Sequence, residues 1–420
     1  MHAILVSSDA ETTGAGCIAG GVRRVTFLWL TRFTPYAPLK GGAYDYTRSL
    51  VESLARIGPV EGLVFAAPGV AAPEVPGLTW SAIPARSKPA IASLASRLPN
   101  VAFRNVDAGY LGEAVRRARG KDAVFVDFIA MAWIVEPLVA ALGPDGPPVI
   151  VVTHNHEYAV RRQMVASERK FARRQALRLD AWKAANLERR ANRAAAGVTA
   201  ITEADAEAFR TETDRPCVAV PPSYSDAIRE AREIGPETPM TACILGNRTS
   251  YHKIMVLEHT LAALAARGVE REISVDIVGA GDFAPYRKTY PGFNFIGFVD
   301  DLFRYLGQVR LALMTDDIGG GFKIRALSLA FARVPILALE AAMHGMGFVE
   351  GTHYIGAGTL EELAAMAPRL MADPARLNAL QEAAFAHAST EFDPAVPGRR
   401  LADFAQQLGA HQLGAERAGA

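Results

Sequence analysis

Three stretches of the sequence carry residues whose types and spacing suit the binding of an anion. In GNRTSYHKI (246–254), Arg248 and Lys253 follow the apolar run TACILG, five residues apart. A forked guanidinium and a mobile ammonium on one strand-to-helix loop can together neutralise a diphosphate. Basic pairs usually end as solvated surface cations, but the carboxyl ends of strands in open α/β sheets are where ligands bind. In TDDIGGGFKIRALSLAFARVPILAL (315–339), Gly319, Gly320 and Gly321 precede Phe322 and Lys323. Here the glycines are expected to open a helix with Lys323 in its first turn, presenting backbone N–H groups to an anion or to sugar hydroxyls. In the segment 31–58, Gly41 and Gly42 precede a helical pattern on Leu50, Leu54 and Ile57. Glycines there let a ligand approach a helix N-terminus, and they fit a plain loop equally well.

A fourth stretch, THNHE (153–157), ends an apolar run with His154, His156 and Glu157, and Asp127 ends the run before it. These polar residues can reach a cleft from the strand exits. A His-x-His pair could ligate metal, but no third ligand follows at a suitable spacing, so no metal is expected. Asp316-Asp317 is no metal motif either, since the glycine run follows it directly. The only small-molecule requirement expected is a co-substrate, with no cofactor.

The elements that must position these residues are short apolar runs alternating with helix-length segments. VTFLWL (25–30), VEGLVFAA (60–67), AVFVDFI (123–129), PVIVVTH (148–154), GVTAIT (197–202) and PCVAVP (216–221) form a first group. TACILG (241–246), SVDIVGAG (274–281), FNFIGFV (293–299), VRLALMT (309–315) and VPILAL (334–339) form a second. Continuous apolar strands separated by helices indicate parallel sheets covered on both faces. The polar, proline-containing stretch between the groups reads as a linker. The expected organisation is a flexible tail (1–22), a first domain (23–222), a linker (223–240), a second domain (241–390), and a C-terminal helix and tail (391–420).

With those residues in place, the chain resembles the group 1 (family four-like) glycosyltransferases. Gly246, Arg248, Lys253, Gly279 and Gly281 match that family's Gly-Arg, Lys and Gly-x-Gly pattern. FIGFVDDLFRYL (295–306), GGGFKIRALSLAFARVPIL (319–337) and MADPARLNAL (371–380) are similar to its later segments. The resemblance implies the GT-B fold: two Rossmann-like α/β domains with parallel sheets facing a central cleft. It further implies retaining transfer of a sugar from a nucleotide-diphosphate donor to a glycan, lipid-linked or small-molecule hydroxyl, with His154 helping to hold the sugar. In an inverting enzyme, Asp127, Glu157 or a histidine would instead deprotonate the acceptor. Arg248, Lys253 and the glycine-loop amides would stabilise the departing diphosphate electrostatically. The family carries two glutamates around the glycine loop, and this chain has Gly320 and Ser328 in their places. Ser328 can accept from a ribose only weakly and without charge. A non-hydrolysing sugar-nucleotide epimerase and a non-catalytic sugar-nucleotide-binding protein are the alternatives.

Bulk composition fits this reading. The 420 residues suit two domains, and a net charge of +1 gives no global attraction to nucleic acid. Three scattered cysteines suit a reducing compartment, and no apolar run approaches the roughly 18 residues of a membrane span, so the cytoplasm is expected. One local asymmetry stands out. Residues 161–193 hold eleven Arg or Lys against three acidic residues on a helical pattern. Such a face is either solvated or a peripheral contact with an anionic membrane at its inner side.

Overall fold

The computed structural model describes residues 25–36, 42–66, 72–85, 88–168, 170–249, 251–316 and 322–419. The expected tail (1–22), Gly41 and the Gly319–Gly321 run lie outside the described residues.

The first group of runs forms a seven-stranded parallel sheet: β1 (Phe27–Leu30), β2 (Val60–Phe65), β3 (Leu78–Ile83), β4 (Ala123–Asp127), β5 (Val149–Val152), β6 (Gly197–Ala200) and β7 (Cys217–Ala219). Its order is β3-β2-β1-β4-β5-β6-β7. The second group forms a six-stranded parallel sheet: β8 (Thr241–Leu245), β9 (Ser274–Val278), β10 (Asn294–Gly297), β11 (Leu311–Met314), β12 (Ile336–Leu339) and β13 (Ile355–Ala357). There the order is β10-β9-β8-β11-β12-β13. β1, β4, β5, β6, β11 and β12 are buried along their whole length, which is why they read as unbroken apolar runs. β3 and β13 leave no apolar run because each is an edge strand with mixed exposure.

In each sheet the strand order reverses direction at the first strand. β1 lies between β2 and β4, and β8 lies between β9 and β11. Ligand crevices in open α/β sheets open at such reversal points, outside the carboxyl ends of the strands. Asp127 at the end of β4, the Gly246–Arg248 turn after β8 and Asp316 after β11 all fall there.

The helix Gly42–Ala55 buries Leu50 and Leu54 but ends before Ile57, which is 38% exposed. The segment 223–240 is not a free tether. Ile234 is buried in the second core, and Arg232 donates to the Arg333 and Val309 carbonyls. The last helix, Val396–Gly419, crosses back to the first domain, where Leu401, Phe404 and Leu408 join its core. That crossing needs Gly398: its N–H donates to Ser53 Oγ at 2.7 Å, and a Cβ there would lie 2.2 Å from the Ser53 carbonyl. No described helix is long and apolar enough to cross a membrane.

Candidate active site

On the first-domain side the site is built around Asp127, which is fully buried. Thr31, the residue after β1, and Thr47, on the Gly42–Ala55 helix, donate their hydroxyls to Oδ2 at 2.9 and 2.7 Å. Oδ1 lies 2.6 Å from His154 Nε2. A carboxylate with both oxygens engaged is fixed in place, and it holds the imidazole in one orientation. The next residue, Phe128, has φ +72°, a left-handed conformation that costs a non-glycine residue about 1–3 kcal/mol. Its ring then lies 4.9 Å from the His154 ring, with Tyr46 edge-on at 5.1 Å on another side. The imidazole is 5% exposed, and its Nδ1 has no partner among the described residues.

The neighbours of His154 are otherwise engaged. His156 Nε2 is 2.9 Å from Glu212 Oε1, and its Nδ1 accepts the Ala159 N–H, capping the helix Glu157–Ser167. Glu157 is paired with Arg161 at 3.0 Å, and its N–H donates to Glu188. Use of Glu157 as a base would require it to give up that ion pair.

On the second-domain side, two turns clasp each other. Gly246 has φ +138° and Gly279 φ +132°, and a Cβ on Gly279 would sit 2.4 Å from the Gly246 carbonyl. Only glycine permits that approach. Arg248 N–H donates to the Ala280 carbonyl and pairs in a bridge with Gly281, while Asn247 Oδ1 accepts the Ala280 N–H. The clasp turns the Arg248 side chain inward, to 7% exposure, with Nε lacking an acceptor among the described residues.

Three further cations gather there. Burial pushes Arg248 down to about 10, and Arg325 likewise, with Arg248 beside it adding to the effect. Both guanidiniums stay charged at neutral pH. Lys323 is pushed down to about 8 by burial and by Lys253. Lys253, on the helix Tyr251–Arg267, is lowered by partial burial and then by Arg325 and Arg248. Arg325 pairs with Asp316. Cations that depress one another stay together at a cost which an added anion relieves.

Lys323 lies ahead of its helix, not in the first turn, because the helix begins at Arg325. Phe322 and Ile324 pack against the first-domain core, with Phe322 also on the second. A Cβ on Gly42 would meet Ile324 Cδ1 at 3.9 Å, so the start of the Gly42–Ala55 helix faces the cation-bearing segment. Beside it lies a cleft of about 890 Å³ between the domains, lined by Tyr36, Arg48, Tyr224, Asp226, Asp300 and Ser328 among others. Ser328 lies beside Tyr224, whose hydroxyl donates to the Ala227 carbonyl at 3.1 Å and whose ring stacks on Phe331 at 4.2 Å.

The sequence reading did not single out Thr31, Thr47, Tyr224 or Arg325. Arg325 had a usable signal, since it stands two residues beyond Lys323, at the start of the next helix. The threonines had none, because their role depends on β1 lying next to β4. Among the described residues no group of three His, Cys, Asp or Glu could hold a metal ion.

Neither a protein-family profile nor a curated protein sequence matches the chain. Solved structures do match. Sucrose-phosphate synthase from Thermosynechococcus elongatus aligns with a TM-score of 0.69 at 15% identity, over 92% of this chain and 100% of its own. Anabaena HepE, solved in complex with UDP-glucose, gives 0.60 at 15% identity, over 91% and 99%. WaaG, a glycosyltransferase involved in lipopolysaccharide biosynthesis, gives 0.57 at 15% identity, over 90% and 99%. The two parallel sheets of this chain therefore have the GT-B arrangement these proteins share.

Proposed function

We propose that the protein is a glycosyltransferase that moves a sugar from a nucleotide-diphosphate donor to a hydroxyl of a glycan, lipid-linked or small-molecule acceptor. The observation that carries this is Arg248, a buried guanidinium with an unanswered Nε, gathered with Lys253, Lys323 and Arg325 at the reversal point of the second sheet. Such a cluster suits a diphosphate, whose charge grows as the glycosidic bond breaks. It would supply the stabilisation that a divalent cation gives elsewhere, so no metal is invoked. Gly246 and Gly279 shape the turn, Ser328 and Tyr224 face the interdomain cleft beside it, and Gly42 lies opposite. The glycine loop (319–321) would add backbone N–H groups. Cys217 and Cys243 are buried free thiols, in keeping with a reducing cytoplasm.

Across the cleft, Asp127 positions His154. With Nε2 donating to the carboxylate, Nδ1 is left as an acceptor for a hydroxyl. In a retaining enzyme, which the resemblance of 241–390 to group 1 glycosyltransferases supports, that hydroxyl belongs to the donor sugar. A second reading, inversion, is favoured by the same pair, since a carboxylate-held imidazole is built to take a proton from an acceptor. Anomeric NMR of the product separates the two.

A thermal-shift panel of UDP, GDP, TDP and ADP sugars tests the donor claim, because a ligand that binds only the folded state raises its stability. One base class is expected to raise the melting temperature, and the Arg248→Ala variant to lose the shift. No response to any of the four would remove the proposal.

A further inference from the structure

The basic stretch 161–193 takes no part in the site above. It folds into the helices Glu157–Ser167 and Phe171–Ala194, which pack against each other and leave a groove of about 810 Å³ between them. Its described arginines divide into two sets. Arg161 pairs with Glu157 and Asp180, Arg173 with Glu168 and Arg190 with Glu136. The other set is Arg162, Arg174, Arg178, Arg189 and Arg193. These five line the groove, and none has a carboxylate partner among the described residues. Arg162 lies over the Tyr158 ring at 5.6 Å, and Arg178, Arg189 and Arg193 reach only neutral oxygens. Arg174 Nε is buried without an acceptor. Two carboxyls also line the groove: Glu212 is held by His156 at 2.9 Å, and Glu188 is 4% exposed, with burial pushing it up to about 8.

The rim is apolar. Trp182 is 60% exposed and Phe171 69%, with Tyr158 and Leu179 also outward. Lys183 donates to the Ser93 and Leu94 carbonyls, which ties the short helix Ala90–Ala95 to the helix Phe171–Ala194. That helix presents Ile91 at 75% and Leu94 at 57% exposure. Of the thirteen exposed large hydrophobics among the described residues, six belong to these three helices. Unpaired cations in a groove, bordered by exposed aromatic and aliphatic side chains, match phosphate headgroups lying above acyl chains. A soluble polyanion would use the cations but leave the apolar rim in water.

We propose that this face docks on an anionic phospholipid surface, with lipid phosphates seated among the five groove arginines and the aromatic rim inserted at the headgroup boundary. The proposal is independent of which sugar is transferred, and of whether one is.

The test is co-sedimentation with vesicles of phosphatidylcholine alone or of equimolar phosphatidylcholine and phosphatidylglycerol, at low and high salt. Pelleting with the anionic vesicles at low salt, release at high salt and a blue shift of Trp182 emission are expected. The Arg174→Ser/Arg178→Ser double variant should bind roughly tenfold more weakly or worse, with its melting temperature checked. Arg116→Ser, at an exposed arginine paired with Glu113, should bind like the parent. Failure to pellet with anionic vesicles overturns the proposal. So does equal binding by the double variant, or binding of inorganic polyphosphate without binding to vesicles.

Discussion

His154 Nε2 sits 2.6 Å from Asp127 Oδ1, and the second oxygen of that carboxylate takes the hydroxyls of Thr31 and Thr47. The carboxylate thus fixes which imidazole nitrogen carries the proton. Asp127→Asn keeps the shape and offers an amide where a carboxylate stood. Turnover is expected to fall about 10²-fold or more, with the melting temperature little changed. Parent-like kinetics in a folded variant would show that the imidazole works without that hold.

Ser328 stands where the family resemblance places a glutamate, and Tyr224 lies beside it. A neutral hydroxyl accepts from a ribose more weakly than a carboxylate would. The cleft beside it has room for a longer side chain. Ser328→Glu is expected to tighten nucleoside-diphosphate binding several-fold by calorimetry, a charged acceptor being worth about twice a neutral one. Weaker or unchanged binding by a well-folded variant would mean that position 328 does not meet the ribose.

Lys323 is held at about 8, below its ordinary 10.5, by burial and by Lys253. Between those values the unfolded chain binds more protons, so the unliganded protein gains stability as pH rises through the window and loses it as pH falls. A bound diphosphate favours the charged ammonium. Nucleoside-diphosphate binding near pH 8 is therefore expected to take up protons, seen as a dependence of calorimetric heat on buffer ionisation enthalpy. In Lys323→Met that dependence should shrink. Heat that ignores the buffer would contradict a role for Lys323 at the phosphates.

Glu188 carries the opposite sign. Burial, with Glu157 and Glu212 nearby, raises it from 4.5 to about 8, so the folded protein binds more protons across that range. Stability then falls as pH rises from 4.5 towards 8. Glu188→Gln keeps an oxygen for the Glu157 N–H and removes the titration. At pH 8 it is expected to be more stable than the parent by on the order of 1–3 kcal/mol in urea, with little difference near pH 5. An equal stability gap at both pH values would place the effect elsewhere.

Much of this architecture could be read from residue order. Fully buried parallel strands leave unbroken apolar runs, so eleven of the thirteen strands were visible, while the strand order that sets the reversal points came only from the structure. Arg248 and Lys253 stood out as candidates because they follow the carboxyl end of a strand, where open α/β sheets bind ligands. The rest depended on contacts distant in sequence. Thr31 reaches Asp127 across 96 positions, and nothing local to a threonine announces that. Glu157 looked like a cleft carboxylate until Arg161, one helical turn on, claimed it. The arginines of 161–193 read as one charged face. Only the packed helix pair separates those with acidic partners from those without.

Product analysis tests the central claim most directly. Purified protein is incubated with the nucleotide sugar that binds best, with and without hydroxyl acceptors, and released nucleoside diphosphate is quantified. The account predicts diphosphate release that acceptors accelerate, cut about 10²-fold or more in Arg248→Ala and Lys253→Ala, both of which remain folded. Tight donor binding without diphosphate release under any acceptor, or release unaltered in both variants, would contradict it.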